Sequence, residues 1–206
     1  MNKIFKIILS TVLIGTLFAC QNESVDNEIN TELLNLKNLK IDSRFISYSD
    51  KNQNLINNIK DINTITSLTE KENLTEQELH QLSLAFGFKS FEKYEEYYES
   101  QKAILLELEN DYNLSSYNSV DIENVLIMDD VPSAAKSGNC HSYCSRTHTN
   151  CVGAVISAAT LSHVGCLSAD ITVVAGIVCH GAVAALQYFA HDECNNQSEQ
   201  CHENCN

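Results

Sequence analysis

The sequence predicts an all-α protein: an acidic helical N-terminal region followed by a small disulfide-rich helical C-terminal domain. Three observations predict it. Apolar residues recur at three- and four-residue steps through the middle of the chain, the spacing that lines one face of a helix. A Thr75-x-x-Glu78 box opens one of these segments, and such a box satisfies backbone N–H groups that a helix start leaves open. Finally, eight of the nine cysteines lie between Cys140 and Cys205, at steps of 4, 7, 15, 13, 15, 7 and 4 that read the same in both directions. The 206 residues carry 13 Lys+Arg against 27 Asp+Glu, a net charge of −14 at pH 7. That balance argues against a nucleic-acid partner, because no basic surface is available to neutralise phosphates.

Residues 1–19 read as an export signal. Lys3 and Lys6 precede Ile7 to Ala19, an uncharged stretch of 13 residues, short of the about 20 that a membrane-crossing helix needs. The ending Leu17-Phe18-Ala19-Cys20 resembles the bacterial lipobox. The resemblance covers only this segment and implies that Cys20 is acylated and becomes the new N-terminus. Removing Cys20 from the count leaves eight cysteines, an even number suited to complete pairing in an oxidising compartment. The expected location is therefore the bacterial cell envelope, with membrane lipid as partner through the acyl chains on Cys20. Each buried methylene would contribute roughly 0.8 kcal/mol to that anchor. The mature chain would hold 11 basic residues against 27 acids, so charge would not help it bind anionic lipid. Residues 20–32 form the lipidated tether, which has no large aliphatic run.

Residues 33–130 form the acidic helical region. Leu33, Leu34, Leu36, Leu39 and Ile41 open it, and Leu55, Ile56, Ile59, Ile62 and Ile65 suggest one helix with an apolar stripe. Thr75 caps the next helix, whose face is Leu79, Leu82, Leu84 and Phe86 before Gly87 stops it. Ser90 starts a longer one carrying Phe91, Tyr94, Tyr98, Leu105, Leu108 and Tyr112. Glu92, Glu95 and Glu96 suit its start, whereas Glu107, Glu109 and Asp111 oppose the dipole at its end, which predicts fraying. Glu99 and Lys102 are spaced for a small i,i+3 contribution. The tyrosines Tyr94, Tyr97, Tyr98, Tyr112 and Tyr117 read as fillers between helices in a chain without Trp, with hydroxyls at the rim. Glu95/Glu96 and Asp129/Asp130 read as solvated faces, since no 12-residue calcium loop surrounds them.

Residues 131–139 are the expected linker, holding the only Pro, Pro132, and small polar residues that a protease could reach. Residues 140–206 form the cysteine-rich helical domain. Two antiparallel arms folded between Cys166 and Cys179 would place Cys151 opposite Cys194, Cys144 opposite Cys201 and Cys140 opposite Cys205. Eight cysteines allow about 105 pairings, so other connectivities stay open. Val152, Val155, Ala159 and Leu161 suggest a first helix, and Val183, Leu186, Phe189 and Ala190 a last one. Ile171 to Val178 reads either as helix or as a buried strand, with a break at Gly181. The apolar content suits either a helical core or surface stored for membrane insertion, while His163 and Asp170 argue against a fixed span.

Six of the seven histidines lie here: His141, His148, His163, His180, His191 and His202. Cys140, Cys144 and His148 stand at i, i+4 and i+8 and would suit a soft metal if the thiols were reduced, but export to an oxidising space argues against it. No GxSxG elbow, HExxH helix or GxxxxGK loop occurs, so the expectation is a non-catalytic protein with no cofactor and no metal.

The domain resembles the cysteine-rich microhalocins, small disulfide-bonded archaeal antimicrobial proteins, and bacterial sequences carrying a related domain. The resemblance rests on the opening pair Cys140 and Cys144, on Cys151 and the Ala/Gly/Ile-rich stretch after it, and on His163-Val164-Gly165-Cys166. The apolar Ile171 to Cys179 segment and the closing pair Cys201 and Cys205 complete it. It implies a bacteriocin-like module acting on a target-cell membrane or surface receptor, released from a precursor whose N-terminal part, here Gln21 to Asp130, protects the producer. The chain departs from that family in having eight cysteines in place of ten, and a lipobox in place of a twin-arginine signal.

Overall fold

Five helices start on a side chain that stands in for a missing backbone acceptor. At Ser119–Ile127 it is Asn118, which accepts from Val120 N at 2.9 Å and Asp121 N at 3.1 Å. Asp42 accepts from Arg44 N at 2.8 Å and Asp61 from Thr64 N at 3.0 Å. Thr75 accepts from Glu78 N while Glu78 accepts from Thr75 N at 2.8 Å, closing the expected capping box. Lys71 and the Thr75 groups hold the Glu78 carboxyl down to about 2. Thr172 accepts from Ala175 N at 3.1 Å.

The structure, a computed structural model, describes residues 36–71, 73–127, 140–168 and 172–205. The export signal, Cys20, the tether and the linker at 131–139 lie outside the described residues. Seven α-helices follow in order: α1 Ser43–Asn57, α2 Ile62–Thr69, α3 Glu76–Ala85, α4 Phe91–Tyr112, α5 Ser119–Ile127, α6 Cys140–Leu167 and α7 Val173–Glu203. Short 3-10 turns at Leu39–Ile41 and Leu114–Ser116 complete the set, and no strand occurs among the described residues.

The single stripe expected from Leu55 to Ile65 is two helices. Asp61 caps α2, and the N–H groups of Lys60 and Asp61 both donate to Ala85 O, at 2.8 and 3.2 Å. The chain therefore turns at 58–61, yet Leu55, Ile56 and Ile65 still share one core. Gly87 ends α3 as expected. Its φ is +89°, and a Cβ there would lie 2.7 Å from Asn58 O, so only glycine fits the turn.

The end of α4 is closed rather than frayed. Asn113 takes the left-handed conformation at φ 51° and donates to Glu109 O at 2.8 Å. Arg44 of α1 reaches across to Asp111 at 2.7 Å and to Glu107 at 3.7 Å, supplying the cation that the dipole lacked. Lys102 lies with Nζ 5.7 Å from the Tyr98 ring centroid, a cation–π contact.

α6 and α7 form an antiparallel hairpin. The ambiguous segment is helical from Val173 onward, and Gly181 lies inside α7 with no break. Its role is close approach: a Cβ there would meet Thr69 Cγ2 at 3.2 Å and Phe86 Cε2 at 3.5 Å. The hairpin joins two apolar clusters of the N-terminal body (α1–α5). Ile177, Ala184 and Ala185 pack with Leu55, Ile65, Leu82, Phe86, Tyr94 and Tyr98. Val164 packs with Phe45, Leu105, Leu108 and Ile122. The tyrosines fill gaps as expected, but not every hydroxyl reaches the rim: Tyr94 and Tyr98 are buried, the Tyr98 hydroxyl included, while the Tyr97 and Tyr112 hydroxyls donate to Lys51 O and Asp42 Oδ2.

Candidate functional site

Steps of 4, 7 and 15 residues are all close to whole numbers of turns, so each helix presents its four cysteines along one stripe. The hairpin brings the stripes together as nested bridges Cys140–Cys205, Cys144–Cys201, Cys151–Cys194 and Cys166–Cys179. Their Cα atoms are 5.6, 5.6, 5.8 and 5.7 Å apart, within the range a bridge accepts. Between the helices Ala159 and Val183 pack with Cys166 and Cys179.

The hairpin has two unlike halves. Its bend-proximal half, from Ile156 to Tyr188, contributes to the apolar clusters. Within the hairpin no cluster member lies before Ile156 or after Tyr188 among the described residues, and this outer half is an arm holding three of the four bridges.

The histidines also pair across the hairpin. His163 and His180 stack at 4.8 Å with Nδ1 atoms 2.7 Å apart, and His141 and His202 stack at 5.2 Å with Nδ1 atoms 2.9 Å apart. His148 binds Asn195 Oδ1 at 2.9 Å and lies near enough to His191 to repel its protonation. Reading the sequence missed these pairs. The signal was there: 141/202, 148/191 and 163/180 mirror nearly the same midpoint as the cysteines.

His163 and His180 sit where the docked half meets α1 and α4, beside a small cavity. Tyr48 stands edge-on to His163 at 6.2 Å and Tyr98 edge-on to His180 at 5.2 Å. Around them Asn52 donates to Gln187 Oε1 at 2.7 Å, and Gln101 donates to Tyr48 O at 3.2 Å. Burial, then the neighbouring His180, holds the His163 imidazole neutral well below the ordinary histidine range. Burial likewise pushes the Tyr48 phenol up. His191 is lowered by burial and by His148.

The residues considered for a soft metal are divided. Cys140 and Cys144 cross to Cys205 and Cys201, and His148 turns to Asn195. The sulfurs of Cys140, Cys144 and Cys205 lie within 4.8 Å of one another. As bridge sulfurs they offer no thiolate. α6 and α7 each carry an apolar stretch long enough to cross a membrane, by length and composition alone. Comparison with known proteins finds no matching family model, no matching curated protein and no matching solved structure.

Proposed function

We propose that the protein is an exported, Cys20-anchored lipoprotein that stores a bacteriocin-like, membrane-active hairpin against a helical carrier. The observation that carries this reading is the docking itself. An apolar helical pair, long enough to reach across a bilayer and covalently closed by four bridges, is packed by its inner half onto a body of another composition. Bridged helices keep their fold when separated from a carrier, whereas an apolar surface left open in water invites association, so covering it is useful before delivery. The resemblance of the cysteine pattern to microhalocins supports the same division into toxin and protective precursor. The reaction class is non-enzymatic: insertion into lipid, or capture by a surface receptor.

The alternative is a permanent cell-surface binding lipoprotein with no catalytic activity. The net charge of the hairpin favours it, since one Arg against five acids in 140–206 gives no attraction to anionic lipid at neutral pH. Two measurements decide. Intact mass of the mature protein should show diacylated Cys20 and eight hydrogens fewer than the reduced chain. Antibodies against each half, applied to cells and medium, should detect a released C-terminal fragment, and protein nicked within 131–139 should leak dye-loaded liposomes or inhibit related bacteria. A single full-length membrane band, with no leakage and no inhibition by nicked protein, would leave the binding lipoprotein.

A further inference from the structure

A disulfide exchanges when a thiolate reaches one of its sulfurs. At the free end of the hairpin, two bridges hold their sulfurs against each other. Cys140 and Cys144 open α6, Cys201 lies in the last turn of α7, and Cys205 sits just beyond its end at Glu203. The bridges Cys140–Cys205 and Cys144–Cys201 therefore stack one helical turn apart. Cys205 Sγ, bonded to Cys140, lies only 3.5 Å from Cys144 Sγ of the neighbouring bridge. Access to these sulfurs is graded: Cys140 is exposed, Cys205 half-buried and Cys144 fully buried. The next bridge, Cys151–Cys194, begins two turns further along α6, about 10 Å away at the helical rise per residue. Contact between bridges is thus confined to the tip.

We propose that the four tip sulfurs form a thiol–disulfide exchange site whose substrate is a dithiol, and that the exchange moves a bridge inward and leaves the arm closed. The site depends on neither lipid anchoring nor membrane activity. A thiolate of the dithiol attacks exposed Cys140 Sγ, forms a mixed disulfide there and expels the Cys205 thiolate. Cys205 attacks Cys144 Sγ, forms Cys144–Cys205 and expels the Cys201 thiolate, which takes a proton. The second thiol of the dithiol then attacks its own sulfur in the mixed disulfide and releases Cys140, which takes the other proton. Two electrons and two protons have passed to the protein, and the dithiol has become a disulfide. Cys140 and Cys201 are now thiols, and Cys144–Cys205 still ties α6 to the end of α7. Position favours the middle step. A nucleophile held against its target outruns a dissolved one, so Cys205 reaches buried Cys144 before external thiol does. Cys205 lies beyond α7, so its side chain turns from Cys140 to Cys144 without unwinding that helix.

The test uses the full-length oxidised protein and an equimolar dithiol, at about pH 8, where cysteine thiols are partly ionised. Dithiothreitol serves as the small dithiol and reduced thioredoxin as the protein one. Thiols are trapped with N-ethylmaleimide before digestion by chymotrypsin and Glu-C. Cleavage after Tyr143 and Glu203 separates Cys140 from Cys144 and Cys201 from Cys205. The first product should carry label on Cys140 and Cys201 and yield a linked Cys144–Cys205 peptide. That product from either dithiol supports the site, and the faster of the two at equal concentration identifies the source. Label confined to Cys140 and Cys205, with Cys144–Cys201 intact, overturns the exchange. First opening at Cys151–Cys194 or Cys166–Cys179, or label spread evenly over all eight cysteines, overturns the site. Raising the dithiol about tenfold should speed the first labelling and leave the Cys201-to-Cys205 label ratio unchanged, because the second step is internal. A ratio that follows dithiol concentration overturns it. The variant Cys140→Ser leaves the Cys205 thiol beside Cys144–Cys201 with no reductant present. Its label should divide between Cys205 and Cys201, and label on Cys205 alone overturns the exchange. If that variant mispairs as it folds, the wild-type product decides.

Discussion

The two halves of the hairpin are the same pair of helices held by different physics. The docked half, Ile156 to Tyr188, buries Val164, Ile177, Ala184 and Ala185 against the body and has one bridge, Cys166–Cys179, beside the bend. The arm lacks such a core and carries three bridges along its length. Covalent links are concentrated where apolar burial is thin, the same trade that small secreted domains make as a whole. The lesson is that cysteine density in this chain marks a shortage of core, and the buried His163–His180 pair lies on the other side of that divide, where apolar packing and a single bridge do the holding.

Reduction breaks the comparison most sharply. Once Cys151–Cys194 is closed, Cys144–Cys201 closes a ring of only about 14 further residues, which the chain-entropy account values at roughly 3 kcal/mol. Losing three such links should exceed anything the arm has to replace them. With a reductant, hydrogen exchange should show 140–155 and 189–205 unprotected while α1–α5 and the docked half stay protected. Equal loss in both halves would mean that the arm and the docked half form one cooperative unit.

The reverse experiment removes core and leaves covalent links. Ile177 is fully buried among Leu82, Phe86 and Tyr98. Ile177→Asp places an unpaired charge there, at a cost of about 4 kcal/mol or more from lost packing and desolvation together. Protection of the docked half and of α4 should collapse, with the intact mass still eight hydrogens short of the reduced chain and the arm still protected.

Much of this was legible in the residues, and the failures have physical causes. The Thr75/Glu78 box, the Gly87 stop and the antiparallel cysteine stripes are local signals whose meaning does not depend on distant partners. The break at 58–61 was misread because its cause is non-local: the N–H groups of Lys60 and Asp61 need Ala85 O. Gly181 was misread for the same reason, since its lack of a Cβ serves Thr69 and Phe86 and not its own backbone. Fraying of α4 was expected because Arg44 lies 67 residues before Asp111 in sequence and is invisible to a reading of one helix. The histidine pairs were in plain view in the mirrored spacing, but attention to metal-ligand steps along one helix hid pairing across two.

A smaller effect sharpens the account of the docked half. Asn52 and Gln187 form a buried side-chain hydrogen bond between α1 and α7. Asn52→Leu leaves the Gln187 amide without its partner and should cost about 1–3 kcal/mol of docking stability. The double variant with Gln187→Leu should recover most of that loss, since both polar groups are then gone. A chemical denaturation series on the four proteins of the cycle checks it, and additive losses would show that the bond contributes no coupling.

The smallest effect separates the acid response of the α1–α4 ion pairs from that of buried His163. Asp42 accepts from Arg44 N and its side chain, and from Tyr112 OH, so Arg44 above all holds its carboxyl below the usual range. A carboxyl lowered on folding contributes stability above its unfolded value of about 3.9, and that contribution is lost as pH falls further toward the folded value. His163 has the opposite charge logic: held neutral by burial, it costs stability as pH falls below roughly 6.5, where the unfolded histidine would gain a proton. Two acid-induced losses should therefore appear, one below pH 6.5 in α4 and α7, and a shallower one below pH 4 where the start of α1 meets the end of α4. Arg44→Gln should lower Tm at neutral pH by only about 1–3 °C, since its partners Glu107 and Asp111 are largely exposed. It should also flatten the second loss and leave the first in place. A variant that flattens both would show that the histidine pair and the α1–α4 ion pairs report one shared unfolding step, and the two regions would then have a common acid response.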